Sequence, residues 1–293
     1  MATNLTNPEL LNKSISDQVV EIAKAGTSVA ARTNVFQAKG QTKIIVDMGN
    51  TAAGIIAEGA SVTASDPANF KEVLLRQKRM ASAIEVTVDA VQNSALPLES
   101  HVAGVLADRI VRGIEAQMFN TGDAAGTTGL QNIVLYNSLA TGAKIEDTGL
   151  VTGAGVGTVA HADVINALAV LAKQPENLEG AIWVVEDITK LANVKDSANQ
   201  SLMTFDNLPA GAVGRVMGIP VFKTVAFTAG QKVAAVLINP AKAYAVSLAE
   251  NANVKKIKGD TLSELKQMST FLGECYLDGK VVNPRAVVLV KTA

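Results

Sequence analysis

His101, His161 and Cys275 are the residues of this chain with the widest chemical repertoire. An imidazole can act as a general base or metal ligand, and a thiolate as a nucleophile. Their spacing supports none of these uses. There is no HExxH and no paired-histidine spacing for a metal, and a single cysteine cannot build a thiolate cage. No GxSxG elbow is present for a serine hydrolase. Each histidine stands at the front of a predicted helix, and Cys275 shares a predicted strand face with Phe271 and Leu277. The histidines read as helix-start residues, and Cys275 reads as a small core side chain. Gly153-Ala154-Gly155-Val156-Gly157 has the glycine density of a phosphate loop. It lacks the G-x-G-x-x-G spacing, and no G-K-[ST] follows, so it reads as a surface loop. The chain is therefore expected to have no catalytic, cofactor or metal site and not to be an enzyme.

Two basic clusters remain. One is Lys71, Arg76, Lys78 and Arg79, and the other is Lys255, Lys256 and Lys258. Aromatic residues make up only 4% of the chain and do not interleave with these charges. A base-stacking surface is thereby excluded. On a projecting element, positive charge suits an acidic neighbour. Lys71, Arg76, Lys78 and Arg79 are therefore the candidate inter-subunit contacts.

The elements that carry these residues follow from periodicity. Leu10, Leu11, Ile15, Val19 and Ile22 recur at helical spacing, and Thr27–Gln37 reads as an extended arm. Ile44-Ile45-Val46 is a β-favouring run. Beyond the Ser65-Asp66-Pro67 turn, Phe70–Gln77 and Met80–Val88 read as strands. With the Gly- and Ala-rich tract between Gly49 and Asn69 as its tip, these strands predict a long two-stranded excursion with little core of its own, marginal unless it lies on something else. Leu98–Asn120 is the clearest helix, with Val102, Val105, Leu106, Ile110, Ile114 and Met118 in one stripe, Pro97 at its start and Gly122 past its end. A loop-rich stretch follows to Gly157. His161–Ala172 is a helix with Val164, Ile165, Leu168 and Leu171 on one face. Ala181–Val185 is a buried strand, Asp187–Val194 a short helix, and Ser201–Gly218 a loop. Ile219–Val225, Val233–Ile238, Ala243–Leu248, Leu265–Leu277 and Ala286–Lys291 are strands. The class is α+β.

Composition narrows the function further. The chain has 293 residues and a formal net charge of −1, so no overall field steers it onto nucleic acid or an anionic membrane. Charged residues are 18% of the chain, against about 25% in an average soluble domain. Hydrophobic residues are 48% and the mean hydropathy is +0.24. Such a balance suits a protein that covers much of its surface with partners. One cysteine excludes a disulfide framework. No apolar run approaches the ~18 residues of a membrane span, and Met1-Ala2-Thr3-Asn4-Leu5 does not read as a secretory signal.

The order of these elements resembles the major capsid proteins of tailed bacteriophages, which share the Hong Kong 97 fold. The resemblance runs over nearly the whole chain from about Val35. Glu58-Gly59-Ala60, Ser65-Asp66-Pro67 and Phe70-Lys71-Glu72-Val73 are similar to the extended-loop hairpin of that family. Pro97-Leu98-Glu99 and the helix to Asn120 resemble its spine helix. Thr121-Gly122 with Gly129-Leu130-Gln131-Asn132 resembles the link into its axial domain. Ala181-Ile182-Trp183-Val184, Lys195-Asp196-Ser197 and Gly218-Ile219-Pro220-Val221 are similar to that domain's strands and loop. Asp278 to Ala286 resembles the C-terminal strand.

The resemblance implies an arm at 1–40, an extended-loop hairpin with its flanking strands at 41–90, and a peripheral domain at 91–125 and 236–282. It implies an axial domain at 126–235, to which a last strand at 283–293 is expected to return. It implies self-assembly through pentamers and hexamers into an icosahedral shell enclosing double-stranded DNA, which is contacted non-specifically. A scaffolding, portal or decoration protein is the further partner class, and no membrane is involved. The expected location is the virion, after assembly in the host cytoplasm. An encapsulin-type nanocompartment is the alternative within the same fold. A monomeric binding module or an enzyme is the alternative outside it.

Overall fold

The computed structural model describes residues 29–48, 55, 58, 61, 70–87, 98–140, 142–153, 158–224, 226–249, 253–257 and 267–293. The expected helix over Leu10–Ile22, Pro97, Ala154–Gly157, Lys258 and most of 49–69 lie outside these residues.

Among the described residues the strands form three sheets. In chain order they are β1 (Asn34–Gln37), β2 (Gln41–Asp47), β3 (Phe70–Arg76), β4 (Lys78–Thr87), β5 (Gly149–Thr152), β6 (Ile182–Val185) and β7 (Met203–Thr204). They continue with β8 (Ala212–Val216), β9 (Ile219–Lys223), β10 (Val233–Ile238), β11 (Tyr244–Leu248), β12 (Asn253–Ile257), β13 (Met268–Val281) and β14 (Val287–Lys291). The helices are α1 (Leu98–Ala116), α2 (Ile133–Tyr136), α3 (His161–Leu171), α4 (Thr189–Ala192) and α5 (Pro240–Ala243).

A seven-stranded sheet has the order β5-β14-β10-β6-β9-β8-β7. Its central strands read Ile-Trp-Val-Val and Val-Ala-Ala-Val-Leu-Ile and are buried throughout. Both faces are covered, which is why these runs are continuous rather than alternating. Ile182, Val184, Val236 and Ile238 point into one core with Ile114, Met118 and Phe119 of the α1 region. Trp183, Val185 and Leu237 point into a second core with Val164, Ala167 and Leu171 of α3.

The second sheet is built on the long strand β13. β11 pairs with its C-terminal part, β12 with its N-terminal part, and β4 along its other edge. β1 pairs parallel with β11, so the end of the expected arm is a sheet strand rather than a free extension. One face of β13 is covered by α1. Phe271 packs with Val102, Ala103, Leu106 and Ala107, and Cys275, Leu277 and Val281 share a core with Ile110 and Ile114. α1 thus spans both sheets along the predicted stripe, with Val105 only half-buried at its margin.

Several expectations need correction. The two-stranded excursion does not extend into strand 78–87. The hairpin is β2 with β3, in the register Gln41 opposite Arg76 to Asp47 opposite Phe70. β4 leaves it and joins β13. The helix from Leu98 widens at Gln117–Thr121 into a π-turn. Gly122 follows in extended backbone (φ −68°). It is needed for room: a Cβ there would lie 2.1 Å from the Gln117 carbonyl oxygen and 2.5 Å from that of Leu130. Ile165 faces solvent, and Ala167 takes its place on the buried side of α3. The expected loop over Ser201–Gly218 contains β7 and β8, and 253–257 is the strand β12.

Candidate functional site

His101, His161 and Cys275 lie on three different elements, α1, α3 and β13. His101 is exposed on α1, and His161 is half-buried at the start of α3. Cys275 is buried in the core beneath α1, and burial pushes its thiol up to about 12. Gly153 continues the β5 ladder by donating its N–H to Lys291 O at 2.8 Å. No group of three or more metal-ligating side chains occurs among the described residues. No helix among them is long and apolar enough to cross a membrane.

The polar structure concentrates instead at the root of the β2–β3 hairpin. One face of the ribbon is tied down: Val73 and Leu75 are buried. A cleft of about 130 Å³ separates this part of β3 from Tyr136, Lys144, Ile145 and Lys280. The opposite face carries Ile45 and Phe70, exposed at 68% and 56%. Register places them on one side of the ribbon, next to the exposed Lys43–Glu72 ion pair at 3.2 Å. The hairpin, expected to lie on something else, does so at its root. The root packs on its own subunit, and the Ile45–Phe70 side is open.

The four basic residues divide. Lys71 and Arg76 are exposed. Lys78 is drawn into the subunit: its ammonium donates to Asp278 Oδ1 at 2.7 Å, Gly126 O at 2.9 Å and Gly129 O at 2.8 Å. Asp278 is 0% exposed and also accepts the Arg76 and Gly279 backbone N–H groups. Arg79, on β4, pairs with Glu274 at 2.8 Å, and Lys255 of β12 pairs with the same carboxylate at 2.7 Å. The Lys255 hydrogen bond is the main influence that holds Glu274 below its ordinary value, and Arg79 adds to it. Glu274 therefore bridges the two strands that flank β13. Lys256, from the second cluster, lies over the Phe271 ring at 5.3 Å.

Sequence reasoning did not single out Asp278, Glu274 or Asp123 as charge partners. Asp123 accepts from the backbone N–H groups of Ala125, Gly126, Thr127 and Thr128 and from both threonine hydroxyls. Burial opposes its ionisation, yet the Thr127 hydroxyl and these N–H groups together hold it far below the usual carboxylate range. An Asp four and five residues before Thr-Thr, in a Gly-rich stretch, is the local signal that could have revealed this turn.

Residues 9–292 match the family model described as the phage capsid family. Among solved structures, the capsid of an empty GTA particle is 20% identical over 91% of this chain and 90% of that chain, with a TM-score of 0.71. The capsid of the native GTA particle is 20% identical over 100% of this chain and 95% of that one, with a TM-score of 0.69. A chain from Gordonia phage Cozz is 14% identical over 91% and 86%, with a TM-score of 0.58. At these identities the likeness is one of fold. No curated protein matches the sequence. The mixed helix and strand content is that of the Hong Kong 97-type capsid fold, and the family match covers almost the whole length: the chain belongs to the phage capsid family.

Proposed function

We propose that many copies of this chain associate through pentamers and hexamers into an icosahedral shell enclosing double-stranded DNA. The hairpin of each subunit lies over a neighbour. The single observation that carries this is the open Ile45–Phe70 face on a two-stranded ribbon, in a chain of the phage capsid family. A ribbon of this kind lacks a third layer, and a neighbouring subunit supplies it. The low charge content agrees with large subunit contacts. Lys71 and Arg76 set register against acidic groups of the neighbour, with Arg79 at the margin of the same contact. Lys78 has its charge satisfied at home.

On this reading 1–40 is the arm, 41–90 the hairpin region, 91–125 with 236–282 the peripheral domain, and 126–235 the axial domain. That β14 lies between β5 and β10 supports its return to the axial domain. DNA is held non-specifically, assembly takes place in the host cytoplasm, and a scaffolding, portal or decoration protein is the further partner class. Electron microscopy and light scattering of the purified protein test the proposal. Closed shells, or pentamers and hexamers on the way to them, are expected. A stable monomer at high concentration and ordinary salt overturns it.

A further inference from the structure

We propose that Lys78 is a positioning residue for assembly. Its ammonium, seated in a socket made by Asp278 and the Gly126 and Gly129 carbonyls, sets the angle at which the hairpin leaves the subunit body. The proposal rests on the shell reading above.

The socket uses all three donors of the ammonium, at 2.7, 2.9 and 2.8 Å. Each acceptor belongs to a different part of the body from the hairpin. Asp278 is on β13, and the two carbonyls belong to the loop that follows α1. That loop is itself held in shape by the Asp123 carboxylate, which gathers four successive backbone N–H groups. Gln131, at the end of the same loop, ties it to β13. Gln131 N–H donates to Gly279 O at 2.8 Å, and Val281 N–H donates to Gln131 Oε1 at 2.8 Å. The socket walls are therefore held by contacts that do not involve Lys78.

The residues on either side of Gln77 complete the joint. Arg76 N–H donates to Asp278 Oδ2 at 2.7 Å, so one carboxylate holds both the last residue of β3 and the first of β4. Gln77 lies between them. Its amide donates to Ala38 O, and its Oε1 accepts from Gly40 N–H at 3.3 Å. Both legs of the hairpin are thus cross-tied to each other and to β13 at the point where the chain passes from one sheet to the other. Beyond Val73, the outermost buried residue of β3, the strand runs about three residues at about 3.3 Å each, or roughly 10 Å, to Phe70. A swing of about 15° there moves the far end by roughly 3 Å, enough to break a side-chain contact. Small losses of definition at Lys78 are amplified where the hairpin meets a neighbour.

The test uses the double variant Lys78→Met/Asp278→Asn, which removes both charges, keeps similar volumes and leaves an acceptor for the Arg76 N–H. Spin labels are placed at the exposed Glu72 on the hairpin and the exposed Glu85 on β4. Their distance distribution is measured in unassembled subunits. The parent is expected to give one narrow distribution and the double variant one at least twofold broader. Shell yield should fall at least tenfold, or shells of mixed size should form. Unchanged width, or broadening with parental shells, overturns the proposal. If the double variant does not fold, Lys78→Arg decides. It keeps the charge but not three diverging donors, and it must broaden the distribution. If the parent itself forms no shells, the shell reading fails, while the distance distribution still decides whether Lys78 sets the hairpin angle.

Discussion

The Thr224 hydroxyl donates to Glu115 Oε1 at 2.7 Å in a buried site where α1 meets the end of β9. The Val29 backbone N–H also donates to this carboxylate, so Glu115 links the arm, α1 and the seven-stranded sheet. Burial pushes the Glu115 carboxyl above its ordinary range, and the two donations only partly offset it. The folded state therefore holds the proton more tightly than the unfolded chain does. The protonated site's contribution is fully present below the unfolded value, about pH 4.3, and is lost as pH rises through the folded value. Glu115→Gln keeps the shape without the charge. Its melting temperature should exceed the parent's at pH 7 and equal it near pH 4, as thermal scans across that range can read. A loss of stability at pH 7 would mean that the charge is compensated.

Gly279 and Tyr244 are in closer contact than a side chain allows. A Cβ on Gly279 would lie 2.7 Å from Tyr244 Cε1 and 2.8 Å from its Oη. The ring cannot retreat cheaply, because it is fully buried and its hydroxyl donates to Gln131 O at 2.8 Å. Gly279→Ala should cost about 1–3 kcal/mol by overpacking. For about 2 kcal/mol the melting temperature falls by roughly 4–8 °C. Thermal unfolding measures it, and a change below about 1 °C would mean that β13 and Tyr244 relax together without strain.

Cys275 should be silent toward thiol reagents in the native protein. Its side chain is fully buried and burial raises its thiol to about 12, so thiolate is scarce at neutral pH. Labelling should become fast only in denaturant. Cys275→Ala should lower stability by about 1–2 kcal/mol through the small cavity it leaves, with assembly unchanged. Rapid labelling of native subunits would place the thiol at the surface.

The parts of this fold that were legible in sequence are those with local causes. The α1 stripe, the Trp183 strand and the Val233–Ile238 strand announce themselves by period and by continuous apolar runs. Strand partnership does not. Ile84, Val86 and their alternating neighbours say that strand 78–87 is half-buried, but β13, which pairs with it, comes nearly two hundred residues later. An excursion running from Gly49 to Val88 keeps 78–87 in the hairpin, whereas the chain passes to the other sheet at Gln77. β7 and β8 were hidden because they are short and lie in a Gly-containing stretch, β8 pairing with β9 and β7 with β8. The basic cluster was visible as charge, but its division was not. Lys71 and Lys78 look alike in sequence, and only the burial of Asp278 separates them.

The last prediction concerns the hairpin beyond its root. Val73 and Leu75 are buried and Lys78 is anchored, so the root belongs to the subunit core. Ile45 and Phe70 are open at the far end of the paired strands, next to residues 49–69. Shortening the chain across Ala57–Asn69 leaves the β2–β3 register, the buried pair and the socket in place. The subunit should fold with a melting temperature close to the parent's. On the proposed shell reading, shell formation should fall sharply, because the stretch proposed to reach a neighbour is lost. Amide exchange should report the same division. In free subunits β3 near Leu75 should be protected and the end near Phe70 should exchange fast; in shells both should be protected. Substituting Ile45 and Phe70 together by Ser should reproduce the assembly defect without the deletion. A shortened protein that unfolds would make the tip part of the core. One that assembles as well as the parent would remove the hairpin from the inter-subunit contact.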